Sequence, residues 1–400
     1  MKKRGKRSLW FAIALIVLTA AVVGTTSGVA LAKKRRAPKP PAHVLTQTEQ
    51  IGKQLFFDAN LSEPRGLACA ACHSSGTGFT GPDATTNING AVYEGAVGGR
   101  FGNRKPPSAA YGGASPVFSE SGGVFTGGMF WDGRATGLTL GDPLAEQAKG
   151  PFLNPLEQNN PSAAAVVNKV AHSSYAGLFK KVWGPHAFDD PSTAYDNIAR
   201  SIAAYERSHE VSAFSSRYDT YLKTGKGLTN EEKLGLTLFQ GKAKCSKCHV
   251  STPGSGGTPP MFTDYSYDNL GIPKNPMNPF YGEASFNPAG PAWVDLGLGG
   301  FLATTSTWAS LAPANDGKFK VPTLRNVDKR PYAGFVKAYG HNGYFKSLDS
   351  IVHFYNTRDV MPWPAPETTA NLNTTELGNL GLTSAEEHAV VAFLKTLSDR

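Results

Sequence analysis

The sequence predicts a mostly α protein made of two tandem copies of one unit. Three observations carry this reading. The stretches LTQTEQIGKQLF (45–56) and LTNEEKLGLTLF (228–239) share Leu-Thr, a Glu four residues after the Leu, a Gly after seven and a closing Leu-Phe, at a constant offset of 183 residues. Each stretch leads into a Cys-x-x-Cys-His pentapeptide, CAACH (69–73) and CSKCH (245–249). Each half then ends on an amphipathic helix pattern, DNIARSIAAYERS (196–208) and TSAEEHAVVAFLKTLS (383–398).

Taken in order, the chain opens on five basic residues within 2–7 and an uncharged run from Ser8 to Ala32. That run ends in Ala30-Leu31-Ala32, the small-x-small pattern of an export signal, so residues 1–32 read as a signal peptide. An uncleaved membrane anchor is the alternative, because the run is long enough to span a bilayer and a basic patch follows it. The first cysteine is Cys69, which excludes a lipid-anchored lipoprotein. Residues 33–44, with KKRRAPKPP, read as an extended, solvated linker.

The formal net charge of +9 comes from this leader and linker. Ten basic residues and no acid lie before residue 40, which leaves the rest of the chain at −1. Nothing in the folded part argues for nucleic acid.

In both repeat stretches, Thr and the Glu three residues later form a capping box ahead of apolar positions at helical spacing. Each copy therefore starts a helix that runs into a loop carrying the cysteines. The segments 74–128 and 251–318 are rich in Gly, Pro, Asn and Ser and show little periodicity. A large bound cofactor explains how such long loops stay ordered. The boundary between the copies falls near 225, giving a first domain over 45–225 and a second over 226–400.

Only four cysteines occur: Cys69, Cys72, Cys245 and Cys248. Two disulfides would suit an exported chain, but the spacing makes two Cys-x-x-Cys pairs with His73 and His249 next in line. A thioredoxin-like couple needs a βαβ setting, which is missing. One zinc on four cysteines would unite loops 176 residues apart and leave both histidines idle. Two covalent c-type haems use everything: each cysteine pair forms thioethers, and each His ligates iron. The fold class is then mostly α with two tandem cytochrome c-like domains, each with one covalent haem and long irregular loops.

With FWDGRA (130–135), EQAKGP, NPLEQN, FKVPTLRNV and GHNGYF…IVHFY added to the two haem motifs, the sequence resembles the bacterial di-haem cytochrome c peroxidase and MauG family over nearly all of 45–398. The resemblance implies that the first haem reacts with hydrogen peroxide. Electrons then come from a small donor protein, a cytochrome c or cupredoxin, and enter through the second haem. It places Trp131 between the haems as relay, with Gln147 and Glu157 on the peroxide side of the first. Glu157 would be the base and Gln147 the amide that orients peroxide.

Two departures narrow the reading. Many family peroxidases carry a His between the first haem motif and FWDGR, and here no His occurs between His73 and His172. The first iron is therefore expected to have an open sixth position, as in MauG; Met129 is in principle able to fill it, but a core role is the expectation for that residue. For the second haem the family pattern counts fourteen residues from His341 to Tyr355. Leu348, Ile351, Val352 and Tyr355 share one helical face, and His353 points away. Tyr355 is the expected sixth ligand and Met361 the runner-up. A calcium ion is common in the family near positions matching Asn103 and 320–322. Its expected Asn ligand falls on Lys105, which counts against calcium here.

The reading is a periplasmic di-haem peroxidase. The alternatives are a MauG-like enzyme oxidising Tyr or Trp of a partner protein, and a non-enzymatic di-haem electron carrier. The resemblance also allows a homodimer.

Overall fold

The computed structural model describes residues 44–400, so the signal and all but the last residue of the linker lie outside the described residues. Helices come first and strands are few. The first part of the chain forms α1 (Gln47–Phe57), α2 (Ala84–Ile88), α3 (Pro143–Leu153), α4 (Ala163–Ala171), α5 (Ala176–Trp183), α6 (Pro191–Arg207) and α7 (Arg217–Thr224). Then follow α8 (Asn230–Gln240), α9 (Gly297–Leu302), α10 (Leu348–Thr357) and α11 (Ser384–Lys395). Two antiparallel pairs, β1 (Ser119–Ser121) with β2 (Val124–Thr126) and β3 (Tyr267–Asp268) with β4 (Phe319–Lys320), interrupt the loops.

The expected capping boxes form. Thr46 with Glu49, Thr229 with Glu232 and Thr383 with Glu386 exchange both bonds, which satisfies amide donors at each helix start. The helix expected at 196–208 begins five residues earlier. Asp190 caps it by accepting from the Ser192 and Thr193 amides, and Pro191 sits in the first turn, where a missing N–H costs nothing.

The repeated glycine now has a cause. α1 packs on α6, and α8 on α11. A Cβ at Gly52 would overlap the Ser201 carbonyl, and one at Gly235 would overlap the Ala389 carbonyl. Only glycine lets each helix pair cross backbone to backbone.

Buried apolar side chains fall into two main clusters. One runs from Ile51 to Val211 and the other from Tyr218 to Leu397. A smaller cluster mixes both halves, with Phe118 and Phe125 against Tyr267, Leu298, Leu302 and Ala312. Among the described residues no helix is long and apolar enough to cross a membrane.

Candidate active site

Each cysteine motif follows its capped helix as a single 3₁₀ turn, Cys69–Ala71 and Cys245–Lys247. The His73 amide donates to the Cys69 carbonyl (3.0 Å), and the His249 amide to the Cys245 carbonyl (2.9 Å). His73 Nδ1 lies 3.0 Å from the Phe79 carbonyl oxygen, and His249 Nδ1 lies 2.8 Å from that of Phe262. A carbonyl can only accept, so Nδ1 carries the hydrogen and Nε2 the lone pair, the tautomer a metal ligand needs. Both accepting residues, Phe79 and Phe262, hold positive φ, so the two loops bend back on their histidines in the same way. Burial keeps both imidazoles below their ordinary value and therefore neutral.

None of the four cysteines is joined to another in a disulfide. Cys69, Cys72 and His73 line one cavity, and Cys245, Cys248 and His249 another. The four thiols thus do not converge on one metal. Burial pushes Cys69 and Cys245 up to about 12, the opposite of what a thiolate ligand or redox thiol requires. Two neutral thiols and one neutral imidazole facing an apolar cavity fit a covalent haem in each.

The first cavity is polar on one side. Gln147, on α3, and Glu157 both line it, together with Gln158 and Arg134. Asn154 donates to Glu157 Oε1 at 3.0 Å. Burial raises the Glu157 carboxyl, against the smaller opposing pull of Arg134 and Asn154. A buried carboxyl with a raised pKa, held by a neutral amide, is a fitting group to take and return a proton. His172, next in the chain after His73 among histidines, is exposed and bonds the Asn168 carbonyl, away from this cavity. Met129 is in the wall of both cavities.

The second cavity differs. Leu348, Ile351, Val352 and Tyr355 of α10 line it as one face. His353 turns instead to Glu387, with Nδ1 3.0 Å from Oε1. Burial, then the nearby Cys245 and Cys248, raise the Tyr355 phenol well above its usual value. Met361 is 49% exposed and lies outside the lining.

Trp131 lines both cavities. Its Nε1 donates to the Lys105 carbonyl (2.9 Å), and its own carbonyl accepts from the Lys320 amide (2.8 Å). The next residue, Asp132, is held by Arg104 (2.6 Å) and Arg134 (2.7 Å), and Arg104 is also forked onto Asp295. These charges keep the Asp132 and Asp295 carboxyls below their usual range despite burial.

A second symmetry appears here that the sequence reading missed. The Met129–Ala135 turn and the Tyr339–Phe345 turn close on the same isolated bridge, which makes His341 the counterpart of Trp131. The Lys105 amide donates to the His341 carbonyl (2.9 Å), as the Lys320 amide does to that of Trp131. The His341 ring stacks on Phe319 at 3.5 Å and 9°. The motifs KPP (105–107) and KVP (320–322) were the available signal.

The residues near the expected calcium position do not fit that ion. The Asn103 carbonyl accepts from Asn278, and the Val321 carbonyl from Thr263. The Lys105 ammonium is buried there, bonded to Thr80 Oγ1 and the Pro106 carbonyl. An amine in place of the expected Asn offers no oxygen ligand, and the two carbonyls already accept from protein donors, so the site is poor in ligands for calcium.

Comparison with known proteins agrees with this geometry. The family model described as di-haem cytochrome c peroxidase matches residues 46–227. Methylamine utilization protein MauG of Paracoccus denitrificans is 35% identical over 366 residues, 88% of each chain. Cytochrome c551 peroxidase of Nitrosomonas europaea is 28% identical, covering 98% of this chain and 92% of that one. The crystal structure of the diheme peroxidase BthA from Burkholderia thailandensis superposes with a TM-score of 0.73 at 32% identity, covering 91% of this chain and 87% of that one. With two cytochrome c-like haem sites and an acid–amide pair on the first, the chain belongs to the di-haem cytochrome c peroxidase and MauG family of oxidoreductases, which carry two c-type haems.

Proposed function

We propose that this protein reduces hydrogen peroxide to water in the cavity of His73, with electrons that a small redox protein delivers by way of the His249 cavity and Trp131. The observation that carries this is the pairing of Glu157 with Gln147 in the first cavity only, while Trp131 reaches both. Cys69, Cys72 and His73 would hold a c-type haem here, and that group would supply the redox chemistry for splitting the O–O bond. Gln147 orients the incoming peroxide. Glu157 takes the proton from the inner oxygen and returns it to the leaving one. Tyr355 would offer its phenol oxygen to the second haem's iron: it lines that cavity, and Met361 does not.

The two hydrophobic clusters support two domains, close to the expected 45–225 and 226–400, but Tyr218 and Tyr221 of α7 pack with the second cluster, which moves the division to between 214 and 218. The leader pattern supports a periplasmic protein.

A MauG-like oxidation of Tyr or Trp on a partner protein is the second reading. Tyr355 in the second cavity and the absence of a His between His73 and His172 favour it. Steady-state peroxide turnover with reduced cytochrome c, run beside a search for crosslinked or oxidised residues in co-purifying protein, decides. Fast turnover without protein oxidation supports the first reading, and the reverse supports the second.

A further inference from the structure

Glu206 is a buried acid that the reaction above leaves unused. It stands on α6 four residues after Ile202 and eight after Ile198, on the stripe that faces inward. It is 4% exposed and lines the first cavity with Phe56 and Ile202. Its Oε2 has no hydrogen-bond partner. In the same wall Gln158 donates to the Leu67 carbonyl and reaches Cys69 Sγ at 3.9 Å, while its buried Oε1 is also unpartnered. Two orphan oxygens thus flank the cysteine that anchors the first haem.

Glu206's charged surroundings do not neutralise a carboxylate. Arg207, beside it on α6, has its guanidinium forked onto Asp142 at the start of α3 (2.9 and 2.7 Å). Asp142 itself opposes a second negative charge. On the packed α1, Lys53 is bound to Glu210. Tyr205 flanks Glu206 on the helix, and Cys69 faces it from the haem loop as a neutral group. Burial accordingly pushes Glu206 up to about 8. An unpaired carboxyl in such a place keeps its proton until a positive charge appears nearby.

We propose that Glu206 is a proton store coupled to the electron count of the first haem, which rests on that haem being anchored at Cys69 and Cys72. When the haem gives up an electron, the added positive charge beside Cys69 favours the carboxylate. The Glu206 O–H bond then breaks, oxygen keeps the bonding pair, and the proton passes to water. When a donor electron returns, the carboxylate takes one proton back. The donor protein supplies these electrons and peroxide consumes them.

The test is spectroelectrochemical titration of the holoprotein against pH, with the haems counted in every variant. Wild type is expected to show a first-haem potential that falls with rising pH, approaching a tenfold change in the reduction equilibrium, about 59 mV, per pH unit. Glu206→Gln should be flat, and Glu206→Asp should keep a slope. An equal slope in wild type and Glu206→Gln, or a flat wild type, overturns the proposal. Should Glu206→Gln not fold, infrared difference spectra of wild type decide: oxidation must remove a protonated-carboxyl band, and its persistence overturns the proposal. A wild-type chain without haem at Cys69 sinks the underlying anchoring instead, which the haem count separates.

Discussion

The two cavities share their anchor and differ in their walls. Both hold two half-buried cysteines and a histidine tied through Nδ1 to a phenylalanine carbonyl. Gln147, Glu157, Gln158 and Glu206 line the His73 cavity, whereas α10 and α11 give the His249 cavity Leu348, Ile351, Val352, Tyr355, Val390 and Leu394, and its acids Asp268 and Glu376 stand near Cys248. The repeat therefore fixes where each haem sits, and the wall decides what it does. The acid and amides of the first wall can handle protons, which supports the proposal that peroxide reacts there. The face that α10 turns to the second cavity is apolar but for Tyr355, which suits a site that passes electrons.

The largest effect that tests this contrast is loss of one anchor. Replacing Cys69 and Cys72 with Ala should remove one covalent haem and abolish reaction with peroxide. Replacing Cys245 and Cys248 should leave a protein that reacts once and is not re-reduced at rate. Haem counts by mass spectrometry and stopped-flow mixing with peroxide read both, and retained peroxide reactivity in the first variant breaks the division of labour.

Next in size is Glu157→Gln, which keeps the shape and removes the base. The first spectral change after mixing with peroxide should slow by roughly 10²–10⁴, the range of a positioned general base. An unchanged rate would reduce Glu157 to a wall residue.

Tyr355→Phe acts on the other side. The second haem should turn high-spin and its potential should rise, because an anionic ligand that stabilises oxidised iron is gone. Electron paramagnetic resonance checks the spin state. A haem that stays low-spin with a sulfur-to-iron band would move the ligand to Met361.

Gly52→Ala and Gly235→Ala probe what the two halves have in common. Each forces apart one helix crossing, and each should cost about 1–3 kcal/mol in chemical denaturation. A large difference between them would show that the copies no longer pack alike. The smallest effect is a null one: chelation by EGTA should leave both haem spectra of the holoprotein unchanged, because Lys105, bonded to Thr80 and the Pro106 carbonyl, stands where the family's Asn ligand is expected. A chelator-sensitive spectrum with stoichiometric calcium reverses that assignment.

Much of this was readable in one dimension because the relevant contacts are local. A capping box spans three residues and a haem motif five, so Thr46, Glu49, Cys69 and His73 announce themselves. The short helices α4 and α5 were not anticipated. At nine and eight residues they are too short to be stable alone and owe their form to packing. The acid–amide pair was found through family motifs, since nothing local tells a cavity wall from a surface at Gln147 or Glu157. Glu206 did leave a trace, as a charge on the stripe of Ile198 and Ile202. The bonds from Lys105 to His341 and from Lys320 to Trp131 left almost none, because each joins residues about two hundred positions apart.

That exchange bears on how such a chain evolves. Each half grips the turn of the other through a backbone amide, so side-chain substitution cannot easily loosen it. An insertion or deletion within either turn shifts the grip in both halves at once. Two copies that began as duplicates are thereby bound to a common fate: neither can be lost, lengthened or traded for a foreign haem module without unseating Trp131. Variation is left to the walls, where one gene can change its chemistry while its wiring stays fixed.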